Sequence, residues 1–455
     1  ALHLDRVKTT LEDLLLEQNI KLLYASYPTE IHHDDSGKKM LVIGNKSSRQ
    51  IIKAEIVIDA TESASVLRLA GEHFESTKEL KRNFLKTIEL YRTDEITDKT
   101  IKVPAELGID GDIVYVHQGY LEKGHVLLEF KLAMDALDIQ QIDQQMKYEV
   151  ASRHTTIKLA EYLIQHHPAF QQAYLAASSY ELLAMDIPRL SKECNLPASK
   201  NASFLKRLED YTSSDVRIWC LNESARNPNA SKLFSNPVTS SKLGEEMGEQ
   251  LAKSWDLLLE LSQIEEHKER KIAELTSIDH YTVEEMDQPQ AGRNYQRALI
   301  QGQTVSVLHH ADVLVVGGGT SGATAAITSG KEGMDTVLLE MNPGLGGTAT
   351  LGGVDSYWFG RRVGYSERVT EKVNEVQQRL NYNNPKWNIE AKMYALLSEA
   401  EQVGVKTYFY TITIGTIMDG NRVRGVLVAS KFGVFAVLAE TVIDATGDGD
   451  IAAFA

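Results

Sequence analysis

Gly317, Gly319 and Gly322, in the stretch Asp312-Val-Leu-Val-Val-Gly-Gly-Gly-Thr-Ser-Gly322, stand at the spacing that lets a backbone hold a pyrophosphate. Gly317 permits a tight turn, Gly319 lets the backbone approach the phosphates, and Gly322 allows a helix to pack closely on a strand. Glu340 lies 23 residues past Gly317, where an acid accepts hydrogen bonds from the ribose hydroxyls of an adenosine. An acid there also argues against a 2′-phosphate. The elements that must position these residues are legible. The Val-rich run before Gly317 reads as a strand, Ala323-Thr-Ala-Ala-Ile327 as a helix, and Val337-Leu-Leu as a second strand ending at Glu340. Phosphates would sit on the helix N-terminus, where unpaired N–H groups and the dipole favour anions.

Two more segments belong with this βαβ unit. Leu345-Gly-Gly-Thr-Ala-Thr-Leu-Gly-Gly353 follows the second strand, and its small residues let a planar group lie against backbone. Val442-Ile-Asp-Ala-Thr-Gly-Asp-Gly-Asp450 is again a strand running into glycines, with acids able to bond hydroxyls. Together the three segments resemble the FAD domain of glutathione-reductase-type flavoproteins, most closely the branch of fumarate reductase and heterodisulfide reductase flavin subunits. The resemblance is specific from Ala311 to Ala455. It implies an α/β fold: a Rossmann-like FAD/NAD(P)-binding domain with a β-meander, joined to an α+β substrate-type domain and a helical segment. It also implies FAD as cofactor. Gly317, Gly319, Thr320, Ser321 and Gly322 would lie at the pyrophosphate and Glu340 at the adenosine ribose. Gly346, Gly347 and Thr348 would run along the ribityl chain and ring system, with Gly447, Asp448 and Asp450 at the ribityl or pyrophosphate. In the family the segment equivalent to Ser356-Tyr-Trp-Phe-Gly-Arg-Arg362 passes near the flavin. Tyr357 and Trp358 would wall the site there, and Arg361 or Arg362 would hold an anionic substrate or a reduced flavin. Core aromatics and surface arginines are the plainer reading. No general acid or base is identified.

The first 71 residues repeat the last 70. Ala54-Glu-Ile-Val-Ile-Asp-Ala-Thr61 matches Ala439-Glu-Thr-Val-Ile-Asp-Ala-Thr446 at seven of eight positions, at an offset of 385. The same offset sets Ile20-Lys21 on Val405-Lys406 and Asp34 on Asp419, and brings the helix at Leu11–Leu16 beside the one around Leu396. The copies part after the shared Asp-Ala-Thr: Gly447-Asp-Gly-Asp450 in the second faces Glu62-Ser-Ala-Ser65 in the first. Glu62 puts bulk and negative charge where phosphate would approach, so the first copy reads as degenerate and unable to bind flavin in the usual way.

The organisation follows: residues 1–71 as the second half of a degenerate flavin-type domain, 72–235 as a substrate-type domain, 236–305 as a long helix and linker, and 306–455 as the FAD-binding domain. Residues 72–135 alternate polar and apolar as strands do, and 136–190 read as helical, with Leu159, Tyr162 and Leu163 on one stripe and Pro168 as a break. Adjacent His166 and His167 face different ways and make a poor metal pair. Lys192–Asn236 reads as irregular connection. Leu243, Met247, Leu251, Leu258 and Leu261 predict one long helix, and Asp287–Arg293 a linker. Val405–Leu438 reads as a β-meander turning at Asp419-Gly-Asn421.

Composition limits the partners. With 455 residues, 43% hydrophobic, the chain can bury a sizeable core. Its net charge of −15, without a Lys/Arg cluster, argues against nucleic acid. No apolar run approaches the roughly 20 residues of a membrane span, so the chain reads as soluble or at most peripheral. Cys194 and Cys220 make neither a disulfide framework nor a CxxC pair and read as buried thiols; no metal site is found. The sequons at Asn201, Asn222 and Asn229 read as chance. A small-molecule substrate is the expected partner, and a homo-oligomer stays open. The function these features imply is FAD-dependent hydride or electron transfer with an unidentified small molecule. Three alternatives stand beside it: NAD on a Rossmann unit, a non-catalytic flavin-fold scaffold, and a fragment beginning at Ala1 and ending at Ala455 that holds no flavin by itself.

Overall fold

The computed structural model describes residues 4–33, 38–75, 81–135, 142–185, 187–191, 208–215, 217–262, 282–286, 305–357 and 359–455. Asp34, Cys194, Asn201, Trp358 and the expected linker at 287–293 lie outside these.

The chain opens with α1 (Leu4–Glu17), an antiparallel sheet of β1 (Tyr27–His33), β2 (Lys39–Asn45) and β3 (Ser48–Ala54), then β4 (Val57–Asp59) and α2 (Ser65–Leu69). β5 (Lys81–Tyr91), β6 (Thr100–Lys102), β7 (Ile113–Gln118) and β8 (Val126–Asp135) follow, then α3 (Ile142–His166). β9 (Tyr174–Ser178) and β10 (Leu183–Ala184) both pair with β5 and complete a six-stranded sheet. β11 (Ile218–Cys220) precedes α4 (Ala230–Phe234), α5 (Pro237–Lys253) and α6 (Trp255–Ser262). The last domain contains β12 (Thr282–Glu284), β13 (Val307–Val316), α7 (Thr320–Lys331), β14 (Thr336–Leu339), α8 (Tyr365–Arg379), α9 (Ile389–Gln402), β15 (Lys406–Tyr408), β16 (Ile412–Asp419), β17 (Arg422–Ser430), β18 (Gly433–Asp444) and α10 (Asp450–Phe454). Its seven strands run in the order β12-β16-β17-β18-β13-β14-β15, parallel from β18 to β15 and antiparallel through the meander.

Three expectations are corrected. Of the segment 136–190, the helix is Ile142–His166; after Pro168 the chain returns to the sheet, because Leu175 fills a fully buried position opposite Leu90. The stretch Lys192–Asn236 contains a strand, β11, too short for periodicity to reveal. The single helix expected over 243–261 is two, broken at Ser254, whose N–H is shared between the carbonyls of Gln250 and Leu251. His166 and His167 do diverge: one stacks on Tyr162 and the other meets Phe170 edge-on.

The repeat holds element by element. A shift of 385 carries α1 onto α9, β1 and β3 onto the starts of β16 and β18, β2 onto the end of β17, β4 onto Val442–Asp444 and α2 onto α10. Even the left-handed turns coincide, at Ser48 and Gly433 and at Ala64 and Gly449. The two meanders then pack on one another. A Cβ added to Gly44 would stand 2.7 Å from the Cβ of Ala429, its own counterpart, and 3.2 Å from both Thr29 and Ile414, another pair 385 apart. Equivalent residues meeting at one point mark a local two-fold relation, as in an isologous dimer interface. That contact explains why β16 is buried from Ile412 to Met418: the face an antiparallel sheet commonly leaves to water is covered by the other copy.

Candidate functional site

β13 enters the site because Leu314, Val315 and Val316 are buried between parallel neighbours, Leu338 and Leu339 on one side and Ile443 and Asp444 on the other. Gly317 follows at φ 97°, a left-handed angle that side chains rarely adopt, and a Cβ there would collide with the Ala445 carbonyl. At Gly322 a Cβ would strike the Gly317 carbonyl, so this glycine seats α7 on the turn. Gly319 differs from both: a Cβ added to it meets nothing within 4 Å. Its backbone faces open space at the start of a 12-residue helix. The first intrahelical bond runs from Ala323 N–H to Gly319 O at 3.0 Å, so the N–H groups of Thr320, Ser321 and Gly322 lack intrahelical partners.

The Gly346–Gly347 segment is stitched to this turn. Gly346 N–H donates to Gly318 O at 2.9 Å, and Thr320 Oγ1 donates to Gly346 O at 3.3 Å. A Cβ on Gly347 would stand 3.0 Å from Gly319 Cα, so a glycine is favoured at position 347. Thr348 is exposed beside them.

Glu340 is buried, 4% exposed. Its carboxylate accepts from Gly318 N–H at 2.6 Å and from the backbone and side-chain N–H groups of Asn342 at 2.7 and 2.8 Å. Burial raises its pKa above the usual carboxylate value despite these bonds. The acid at the end of β14 therefore braces the glycine turn directly.

At the end of β18, Asp444 folds the Gly447–Asp450 loop over the strand tip. It accepts from Thr446 N–H and Oγ1 at 3.1 and 2.8 Å and from Ala452 N–H at 3.0 Å, while Thr446 Oγ1 accepts from Asp450 N–H at 2.8 Å. Burial alone would raise the Asp444 carboxyl, but those bonds hold it below its ordinary value. The first copy has the same four bonds: Asp59 accepts from Thr61 N–H, Thr61 Oγ1 and Leu67 N–H, and Thr61 Oγ1 accepts from Ser65 N–H.

The copies differ in what borders that loop. β18 pairs in parallel with β13, Val442 opposite Leu314, and the glycine turn follows. β4 pairs in parallel with β11, Val57 opposite Ile218, and Leu221-Asn-Glu223 follows without glycine. Asn222, a predicted sequon, is buried there, its amide donating to Asp59 O at 3.0 Å. Cys220 is a buried free thiol, its pKa pushed up to about 12 by burial.

The motif reading misses Lys46. From the β2–β3 turn of the first copy it pairs with Asp448 and stands 3.4 Å from Asp450 Oδ2. Its counterpart at the same offset, Lys431, lies beside Ser65, whose Oγ donates to the Lys431 carbonyl at 3.5 Å. The one available signal was that shared lysine. Of the expected ring-side residues, Tyr357 is half-buried against Trp387, while Arg361 and Arg362 are exposed. Among the described residues no cluster of His, Cys, Asp and Glu could hold a metal, and no helix is long and apolar enough to cross a membrane.

No curated protein sequence matches the chain. Similar solved structures include a geranylgeranyl bacteriochlorophyll reductase-like protein from Thermoplasma acidophilum, at 20% identity over 30% of this chain and 39% of that one, with a TM-score of 0.22. Another is a 3-ketosteroid-Δ4-(5α)-dehydrogenase from Rhodococcus jostii RHA1, at 17% identity over 30% and 46%, TM-score 0.22. A flavocytochrome c3 fumarate reductase matches at 15% identity over 30% and 34%, TM-score 0.22. The chain spans less than half the length of each of these proteins. The sequence profile of the FAD dependent oxidoreductase family matches residues 2–183 and 312–455, well over half of the chain. The chain belongs to the FAD-dependent oxidoreductase family.

Proposed function

We propose that the chain binds FAD across the Gly317–Gly322 turn and acts as an oxidoreductase that moves a hydride or electrons between a small molecule and the flavin. The observation that carries this reading is the open face of Gly319, beside two glycines that are closed by packing. A turn shaped only for folding has no need of a third glycine with nothing against it.

The residues fit the group. The N–H groups at the start of α7 would neutralise the diphosphate, which the helix dipole also favours. Glu340, whose Oε1 accepts both Asn342 bonds and whose Oε2 accepts from Gly318, would keep one lone pair on Oε2 for a ribose hydroxyl. Gly346, Gly347 and Thr348 would carry the ribityl side, and the Gly447–Asp450 loop would bond hydroxyls through Asp448 and Asp450. When bound, FAD supplies the redox chemistry, accepting hydride or electrons from substrate. The chain's part is to position it, neutralise its phosphates and exclude competing contacts.

The test is the visible absorption spectrum of the purified chain, repeated on Gly319→Val. A flavin spectrum in the wild type that is lost in a variant with an unchanged melting temperature supports the reading. A wild-type chain that stays colourless with added FAD would sink it and favour a scaffold role.

A further inference from the structure

Lys392 is 4% exposed and lies in the first turn of α9, where the helix dipole disfavours a cation. Among the described residues its ammonium has no hydrogen-bond or ion-pair partner. Its only neighbours of note are rings: its Nζ stands 3.5 Å from the centroid of Trp387 and 5.2 Å from that of Tyr357. Burying an ammonium without a counter-ion is costly, and ring contacts recover only part of the loss.

The lysine borders a cavity of about 190 Å³ between the Ser356–Tyr357 segment, α8 and the start of α9. At roughly 30 Å³ per water this holds about six waters, room for a small organic molecule. Tyr357 and Trp387 meet edge to face, centroids 4.9 Å apart, and give it an apolar corner. Arg362, over the Tyr357 ring at 5.2 Å, also lines it. Among the described residues no Asp or Glu lines the cavity. Its third cation, Lys386, is already paired with Asp355 at 3.0 Å. Trp387 Nε1 donates to Ala349 O at 2.8 Å, which fixes the ring and ties the cavity to the glycine segment.

We propose that this cavity binds a small carboxylate with a flat apolar body, its charge held by Lys392 and Arg362 and its body against Tyr357 and Trp387. A cationic ligand would face three positive groups and, among the described lining residues, no negative one. A neutral ligand would leave Lys392 without a counter-ion. The proposal does not rest on the flavin reading.

The probe is benzoate, with benzamide as its neutral match, titrated calorimetrically into the full chain with and without FAD. Benzoate should bind, and benzamide at least tenfold more weakly. Lys392→Met should weaken benzoate at least tenfold while its thermal melt stays as high as the wild type's or higher. If that variant does not fold, Arg362→Gln, on an exposed side chain, should still weaken benzoate severalfold. Equal affinity for both probes, no benzoate binding at tens of millimolar, or benzoate binding indifferent to both substitutions would overturn the proposal, as would displacement of FAD by benzoate. A chain that binds benzoate but never FAD keeps this site and loses the flavin reading. A yellow chain that ignores benzoate does the reverse.

Discussion

Lys46 of the first repeat stands 3.4 Å from Asp450 of the second and pairs with Asp448, so one copy lends its charge to the loop of the other. Asp448 and Asp450 flank the place proposed for a diphosphate, and two uncompensated carboxylates would repel it. Burial raises the Asp450 carboxyl above its usual value even with Lys46 beside it, whereas the hydrogen bond from Lys46 holds Asp448 below its own. Lys46→Met should weaken FAD binding by no more than a few-fold, the scale of an exposed ion pair. Fluorescence titration of FAD would read this, and 0.5 M salt should shrink the difference by screening. Equal affinities at low salt would remove Lys46 from the site.

The two-fold contact between the meanders makes a paired prediction. Gly44→Ala should destabilise the chain by about 1–3 kcal/mol, since its methyl would press on Ala429 at 2.7 Å. Gly44 has no positive φ, so relief of backbone strain does not enter. Adding Ala429→Gly should restore most of the loss, and denaturant melts of the single and double variants would measure the coupling. Strictly additive effects would mean that the copies do not touch there.

The three glycines of the turn should separate by role. Gly322→Ala should cost about 2 kcal/mol or more of stability, because its methyl overlaps the Gly317 carbonyl backbone. Gly319→Val should leave the melting temperature within about a degree or two, since nothing lies against that position. Thermal melts monitored by circular dichroism distinguish them, and a destabilised Gly319→Val would assign that glycine to folding.

Lys392 gives the pH dependence. Burial lowers its pKa from 10.5 to about 8, so the folded state holds this proton less tightly than the unfolded chain. The unfolded chain then binds more protons between pH 8 and 10.5, and the lysine's destabilising effect is full below 8 and fades as pH rises to 10.5. Lys392→Met should therefore stabilise the protein at pH 7 by about 1–3 kcal/mol, with the gain falling toward zero near pH 10.5. Urea melts across that range would check the sign; a gain that grew with pH would contradict it.

Local patterns were legible where neighbours in sequence are neighbours in space. The glycine turn, the strands flanking it, the β-rich stretch from Thr87 to Phe130 and the meander all lie within a few residues of where their periodicity and turn residues put them. The break at Ser254 was hidden because apolar spacing continues across it, and β11 because three residues carry no period. At the site, the glycines were readable from spacing, but which of them is open and which closed was not. That depends on Ala445 and the Gly317 carbonyl, brought there by β18 and α7.

By itself the sequence determined the nucleotide-binding turn, the family it belongs to and the repeat at an offset of 385, since each is a relation among residue types along one strand of chain. Only the tertiary structure decided that the two copies face each other across Gly44 and Ala429, that Lys46 reaches Asp450, and that Lys392 is buried against Trp387 without a counter-ion. Gly44 and Ala429, and Lys46 and Asp450, are some four hundred residues apart in the chain. Lys392 is near Trp387 in sequence, but its burial follows from the packing of α9 with α8. Packing of whole elements sets such contacts, and residue spacing does not encode it.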